Sequence, residues 1–567
     1  MHYKNFRNAT YAPAQYLRDT AVGGIEADIG HVGRYLKLDK IYLETYRSDV
    51  LVPREKMAEV KALFEKYGYM TSGGITTTTT GTLMGAFCYT DPEHLKRLGD
   101  VSAYTAEMFD EVMIDDFYFT NCRCENCIKA KGGQTWAEFR LKLMQDVSEN
   151  IVIKRAKEAN PKAHVIIKYP NWYESFPACG YNLEDQPPVF DSIYTGTETR
   201  DPHTTHQNLQ RYLSYFLPRY FENVKPGLNG GGWHDLFECT VEDYIQQITL
   251  TLFAKCRENM HFCFPLMARF PSAYMAAAGA VSDDIDLFLG KLGSPAGIAC
   301  YKPYHSSGER HLYDFLGMLG LPLEPYPDYP AEAKTVLLTG SSAYDDGITG
   351  KIKASLLAGS SVFITSGLYS ALKDRGIQDI LPMEVTARTV TSDRFTFCPY
   401  AHNNTEFHRA EGDITLKHIA YSTNDLWVLA AAQTPYYSHP LLLRGSYGPG
   451  WLYVLNIPDA PADLYKLPAP LLKALRGEFG LPVSIECGAR VGLFLYGNDS
   501  FIIQSFKASP EKVRIRIPRP GAELTRLDAP PHRFDRKTEP EQARQKADES
   551  VFEVLLMPGR YAAFMVG

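Results

Sequence analysis

The sequence contains no apolar run approaching the ~18 to 20 residues that a membrane-spanning helix needs. Its first residues, Met1-His-Tyr-Lys-Asn-Phe-Arg7, lack the apolar core of a signal peptide. There is no excess of positive charge: 59 Lys and Arg stand against 66 Asp and Glu, a formal net charge of -7. That removes the electrostatic case for nucleic acid or an anionic membrane as partner. Internal repeats and low-complexity tracts are absent. So is an even cysteine count, since the chain has 11. Seven of them (Cys179, Cys239, Cys256, Cys263, Cys300, Cys398, Cys487) are scattered and read as buried free thiols, which favours a reducing compartment. The expectation is a cytoplasmic chain, or a periplasmic one where a leader has been cleaved.

What is present is globular in composition, with 45% apolar and 22% charged residues. A length of 567 residues exceeds one ordinary domain and implies two or three. The first ~300 residues alternate short apolar runs with amphipathic stretches, the βα signature. Lys40-Ile-Tyr-Leu-Glu44, His164-Val-Ile-Ile-Lys-Tyr169 and Met260-His-Phe-Cys-Phe264 are strand-like. Arg54 to Tyr67 carries Met57, Val60, Leu63 and Phe64 at the spacing of one buried helical face. A second helix is expected over 135–159. Eight such βα pairs argue a TIM (β/α)8 barrel in residues 1–325. The Pro-rich run Leu321 to Pro330 reads as a boundary. Beyond it, residues 326–481 carry buried parallel strands, as in Thr335-Val-Leu-Leu338 and Trp451-Leu-Tyr-Val-Leu455, and imply a smaller open-sheet, flavodoxin-like α/β domain. Gly340-Ser-Ser342 after its first strand is a weak phosphate signal. Residues 482–567 are strand-rich and imply a small antiparallel β-sandwich.

Barrel enzymes place their chemistry at the C-terminal strand ends. Those ends collect Glu44, Asp115, Asp116, Lys168, Asn171, Trp172, Glu198, Arg200, Trp233, His234 and Asp235. Strand four, Glu111-Val-Met-Ile114, runs directly into Asp115 and Asp116, whose adjacency sends their side chains in opposite directions. Glycosidic cleavage needs two carboxyls, one acid and one nucleophile or base. One comes from strand four. Glu198 is the first choice for the other, ahead of Asp235 and then Glu44. Each acid also has a plainer use: Glu198 as an ion-pair partner of Arg200 or Lys168, Asp235 as a helix N-cap. Trp172 and Trp233 suit sugar stacking and core packing about equally.

Cys122-x-Cys124-x-x-Cys127 supplies three thiolates, one short of a tetrahedral zinc site. Cys88, after the neighbouring strand three, can supply the fourth. Such a site, closed by four thiolates, is structural. Acids at the strand-four tip followed by Asn121-Cys-Arg-Cys-Glu-Asn-Cys127, with an earlier Cys88, resemble the zinc knot of glycoside hydrolase family 42, the β-galactosidase group. The order of barrel, flavodoxin-like domain and β domain resembles that family over the whole chain. The resemblance implies a homotrimer and structural zinc. It departs at one place: strand four of that family ends in Asn-Glu, whereas Asp116-Phe117 stand here. The strand is instead similar to that of fucosidase-type α-glycosidases, whose strand-four Asp is the nucleophile, and that match falls on Asp115.

Together these point to an exo-acting glycoside hydrolase releasing a terminal galactose- or fucose-type sugar from an oligosaccharide or glycoside. Asp115 or Asp116 and Glu198 are the catalytic candidates. Glu44, Lys168, Asn171, Trp172, Arg200, Trp233 and Asp235 are the substrate-binding candidates. One alternative is a β-galactosidase-like retaining enzyme using Asp235 or Glu238. The other is a silent carbohydrate-binding protein on the same scaffold.

Overall fold

Eight parallel strands close on themselves in the first of two units, Met1–Gly290 and Lys291–Gly567, of the computed structural model, which describes residues 2–201, 203–205, 207–397, 406–529 and 549–567. The strands are β1 (Arg7–Ala12), β2 (Lys40–Arg47), β3 (Met70–Ile75), β4 (Glu111–Ile114), β5 (His164–Tyr169), β6 (Ser192–Gly196), β7 (Asn229–Asp235) and β8 (Glu258–Phe262). Each pairs with the next, and β1 pairs with both β2 and β8, which closes the expected barrel. The helix Arg54–Lys66 buries the four apolar residues of its sequence stripe. The helix expected over 135–159 begins behind a Thr135–Glu138 capping box and passes through a wider turn, Ser148–Ile153, before ending at Ala159.

Ala9, Tyr11, Tyr42, Met113, Ile166, Tyr194, Trp233 and Met260 form one buried cluster. Inward positions recur every second residue along a strand. The inward residues that follow Tyr42, Met113, Ile166 and Trp233 are therefore Glu44, Asp115, Lys168 and Asp235. An aromatic and aliphatic layer thus lies directly beneath a charged one. Tyrosines fit inside because neighbouring strands give way. A Cβ on Gly74 would lie 2.4 Å from the Tyr11 hydroxyl oxygen, and one on Gly231 would lie 2.5 Å from that of Tyr194.

The second unit holds a nine-stranded sheet in the order Leu323–Tyr326, Ile298–Tyr301, Thr335–Leu338, Ser361–Thr365, Gly450–Leu455, Ser438–Tyr447, Trp427–Gln433, Met383–Phe397, His408–Tyr421. Its first five strands run parallel, as an open α/β sheet requires. The expected boundary at 325 is corrected here. Ile298–Tyr301 finds parallel partners on both sides within this sheet, so the barrel unit ends at Gly290. The Pro-rich run is no linker either: it supplies the edge strand Leu323–Tyr326, where Pro325 can be accommodated. The Gly340 and Ser341 amides donate to the Glu309 carboxylate at 2.5 and 3.1 Å, so this chain's own acid fills the turn that carried the weak phosphate signal. Five-stranded and three-stranded antiparallel sheets then share one apolar core built on Ile485, Val491, Phe501, Val513, Phe552 and Phe564. That is the expected sandwich.

Gly74→Ala should push the Tyr11 hydroxyl off Glu44 and overpack the barrel, at a cost of ~1 to 3 kcal/mol. Thermal unfolding measures this. An unchanged melting temperature would mean that the barrel wall yields at β3.

Candidate active site

Glu44 is fully buried at the end of β2 and uses both its oxygens. It accepts from the Tyr11 hydroxyl at 2.8 Å, the Ala14 amide at 2.7 Å, Arg47 Nε at 2.9 Å, and Thr76 Oγ1. With no oxygen left for a sugar hydroxyl, Glu44 is corrected from a substrate ligand to the anchor of Arg47. Arg47 in turn donates to Asp115 at 3.0 Å, and Thr76 Oγ1, with one proton to divide between Glu44 and Asp115, lies 3.0 Å from the same Asp115 oxygen. Neither Thr76 nor Tyr11 stood among the sequence candidates. Both lie on the inward-facing register, and that is the signal that could have found them.

Asp115 and Asp116 do not diverge as adjacency on a strand implied. β4 stops at Ile114, and a turn closed by the Tyr118 amide on the Asp115 carbonyl, at 3.0 Å, folds Asp116 back. Both aspartates then face Lys168, whose ammonium lies 3.9 Å from Asp115, 2.5 Å from Asp116 and 3.1 Å from Glu198. The ammonium also sits 4.4 Å above the Trp233 ring. Lys168 is 1% exposed, so it is a hub among acids rather than a free hydroxyl donor. Burial opposes ionisation of Asp115, but Lys168, Arg47, the Asp116 amide and Thr76 outweigh it and hold its carboxyl below the usual range. Burial, then the adjacent Asp115 charge, pushes Asp116 up to about 7 against the pull of Lys168. The Glu198 Oε2 atom is buried without a hydrogen-bond partner. Asp116 is the most open of the three acids, at 14% side-chain exposure.

The other candidates divide. Asp235 caps no helix, because Thr240 does that for the helix that follows. It takes a two-pronged contact from Arg200, at 3.2 and 2.8 Å, so Arg200 pairs with Asp235 and not with Glu198. Burial raises the Asp235 carboxyl to about 6, with Arg200 pulling it down. Trp233, 3% exposed, is packed between Tyr11 and Phe262 at 5.0 and 4.8 Å. The core reading therefore holds for it, and the sugar-platform role is corrected. Trp172 remains half-buried at the mouth, edge-on to Phe119 at 5.6 Å. Asn171 is buried and spends its amide on the Glu198 carbonyl at 2.6 Å, which fixes the loop that carries that acid. His234 faces outward, bonded to Asn259 at 2.8 Å, and Glu238 is exposed.

The Sγ atoms of Cys88, Cys122, Cys124 and Cys127 all lie within 4.8 Å of one another. Cys88 is 3.7 Å from Cys124 and 3.6 Å from Cys127. A metal with bonds of ~2.3 Å to sulfur places tetrahedral thiolates at about this spacing, well beyond a disulfide length. The four thiols can hold a metal ion with no position left open for chemistry. The other cysteines described are free thiols, and Cys398 lies outside the described residues.

Residues 1–277 match the family described as "Probable glycosyl hydrolase, catalytic domain". Residues 482–566 match its C-terminal domain, and 293–460 match the second domain of uncharacterized protein SSO3021. That protein, from Saccharolobus solfataricus, is 24% identical over 506 residues, 80% of this chain and 82% of its own. Among solved structures, the β-galactosidase of Bacillus circulans sp. alkalophilus superposes with a TM-score of 0.64 at 10% identity, over 100% of both chains. A catalytic mutant of Gan42B, a family 42 β-galactosidase of G. stearothermophilus, gives 0.66 at 12%, over 99% of this chain and 98% of that one. α-L-Fucosidase isoenzyme 2 of Paenibacillus thiaminolyticus gives 0.62 at 13%, over 100% and 99%. The fold is shared with these β-galactosidases and with the fucosidase, and the barrel residues 1–277 are those that match the probable glycosyl hydrolase catalytic domain.

Removing one member of a buried ion pair strands the other. Arg200→Met should destabilise the protein toward the low end of ~3 to 5 kcal/mol, because the guanidinium is 25% exposed. Adding Asp235→Asn should recover part of the loss in chemical denaturation. Additive losses in the double variant would mean that the pair is not coupled.

Proposed function

We propose that this catalytic domain makes the chain an exo-acting glycoside hydrolase that releases one terminal neutral sugar of galactose or fucose type. The observation that carries the reading is the convergence of Asp115, Asp116 and Glu198 on the single ammonium of Lys168 at the C-terminal end of the barrel. Glycosidase chemistry needs one carboxyl ionised and another bearing a proton at the same pH. Asp115 is held ionised, and Asp116 is pushed up to about 7. Asp115 is the nucleophile. Asp116, with Glu198 beside it on Lys168, is the acid and then the base. An inverting pair needs ~6.5 to 9.5 Å to admit a water, whereas a retaining pair stands about 5 to 5.5 Å apart. Acids gathered on one nitrogen at 2.5, 3.1 and 3.9 Å favour the retaining course.

The accessible side of the mouth, with Asp116 and the half-buried Trp172, suits a sugar ring that offers one apolar face. Among the described residues, Arg47 and Arg200 at the mouth are both spent on carboxylates, which argues against an anionic sugar. The four-cysteine knot is proposed to hold structural zinc, and its thiolates suit a cytoplasmic setting. A homotrimer belongs to the same proposal, on the family 42 architecture.

Aryl α- and β-galactosides, fucosides, glucosides and arabinosides are the test. One of them should turn over, with Asp115→Asn, Asp116→Asn and Glu198→Gln each losing about a thousandfold or more. Activity should fall as pH rises through about 7, because the proton donor is then lost. It should persist well into acid, because Asp115 stays ionised there. Binding of a sugar without turnover by the folded wild type would favour the silent-scaffold alternative. For the knot, elemental analysis should find about one zinc per chain. Cys127→Ser should lose the zinc and unfold at a lower temperature. A metal-free wild type of equal stability would refute structural zinc.

A further inference from the structure

The mouth has more acids than the mechanism needs, and it is short of cations. Asp115 draws on two positive groups, Arg47 at 3.0 Å and Lys168 at 3.9 Å, and on two neutral donors besides. Asp116 and Glu198 meet the same ammonium at 2.5 and 3.1 Å. The groups facing Lys168 come from three strand ends of the barrel. They are Asp115 and Asp116 after β4, Glu198 after β6, the Trp233 ring of β7, and Asp235 beyond it with its partner Arg200. Arg47 and Glu44 of β2 stand behind Asp115. Three carboxylates this close around one ammonium do not all stay charged, because each disfavours ionisation of its neighbours. The group with the strongest independent support, Asp115, keeps its charge.

We propose that Lys168 is the positioning residue for the proton of this site: its one ammonium, 2.5 Å from Asp116 and 3.1 Å from Glu198, holds both carboxyls in place and governs when Asp116 carries that proton. This rests on the glycosidase reading for its use, but not for its test. As Asp116 gives up its proton to a leaving group, the ammonium lies within reach of the oxygen that takes the new charge. Lys168 touches no substrate in this role and works through the two acids.

Lys168→Met takes away the charge and leaves a stem of similar length. The titration midpoint of Asp116 should then rise by about one pH unit or more, the scale set by loss of an opposite charge at ~4 Å. Lys168→Arg should hold it near the wild-type value. The readout is the carboxyl 13C resonance of aspartate-labelled protein, assigned with Asp116→Asn and followed against pH, with thermal melts confirming the fold. The alkaline limb of kcat/KM should move with it for whichever glycoside turns over. A midpoint that stays put in Lys168→Met would overturn the proposal. Lys168→Gln, uncharged but still a donor, repeats the test should the methionine variant fail to fold. Failure of every glycoside to turn over would count against the hydrolase reading alone, because the resonance needs no substrate.

Discussion

One ammonium serving three carboxyl groups is the interaction on which the barrel's upper layer depends. Charges withdrawn from water cost several kcal/mol each unless opposite charges and hydrogen bonds take the place of hydration. Here they alternate around the rim from Glu44 to Arg47, Asp115, Lys168, and then Asp116 and Glu198. The chain of contacts crosses from β2 to β4 to β5 and reaches the segment after β6, so the strands are joined through their side chains as well as their ladders. Beneath it, the Tyr11, Tyr42 and Trp233 layer forms a dry floor, which keeps the local dielectric low and makes each of these contacts strong.

Much of this was legible from alternation alone. Short apolar strands ending in polar residues predicted a barrel and the acids at its mouth, because the side-chain period of two carries straight from the core layer into the charged one. Pairing was not legible. Nothing in the spacing says that Arg200 reaches Asp235 and leaves Glu198 to Lys168, since such choices are made where the β6 and β7 loops meet in space. Alternation gives the wrong direction for Asp116 because that residue lies two positions past the end of the strand. Trp233 is ambiguous for a different reason, since an inward aromatic near a strand's end belongs to floor or mouth according to how far the strand runs on, and here it continues to Asp235. The boundary near 325 failed because prolines mark edge strands as readily as linkers.

The segment that bears Asp116 is held down from several sides. Thr77 donates to the Phe117 carbonyl at 2.8 Å, and the Tyr181 hydroxyl donates to that of Asp116. A few residues on, Cys122, Cys124 and Cys127 meet Cys88, which follows β3. A catalytic group on a loop gains precision only from such supports, because the loop's own backbone supplies few. The thiol cluster therefore bears on Asp116 at second hand, by fixing where the exit of β4 can go.

The glycines inside the barrel have a consequence of another kind. Gly74 makes the space that Tyr11 fills, and Gly231 makes the space for Tyr194. Volume is thus traded between strands, and neither partner of a trade can change first without harm: a larger residue on one side collides, and a smaller one on the other opens a void. Descendants of this sequence would cross such a position only by altering both partners nearly together, so the interior is inherited as linked pairs rather than as single sites.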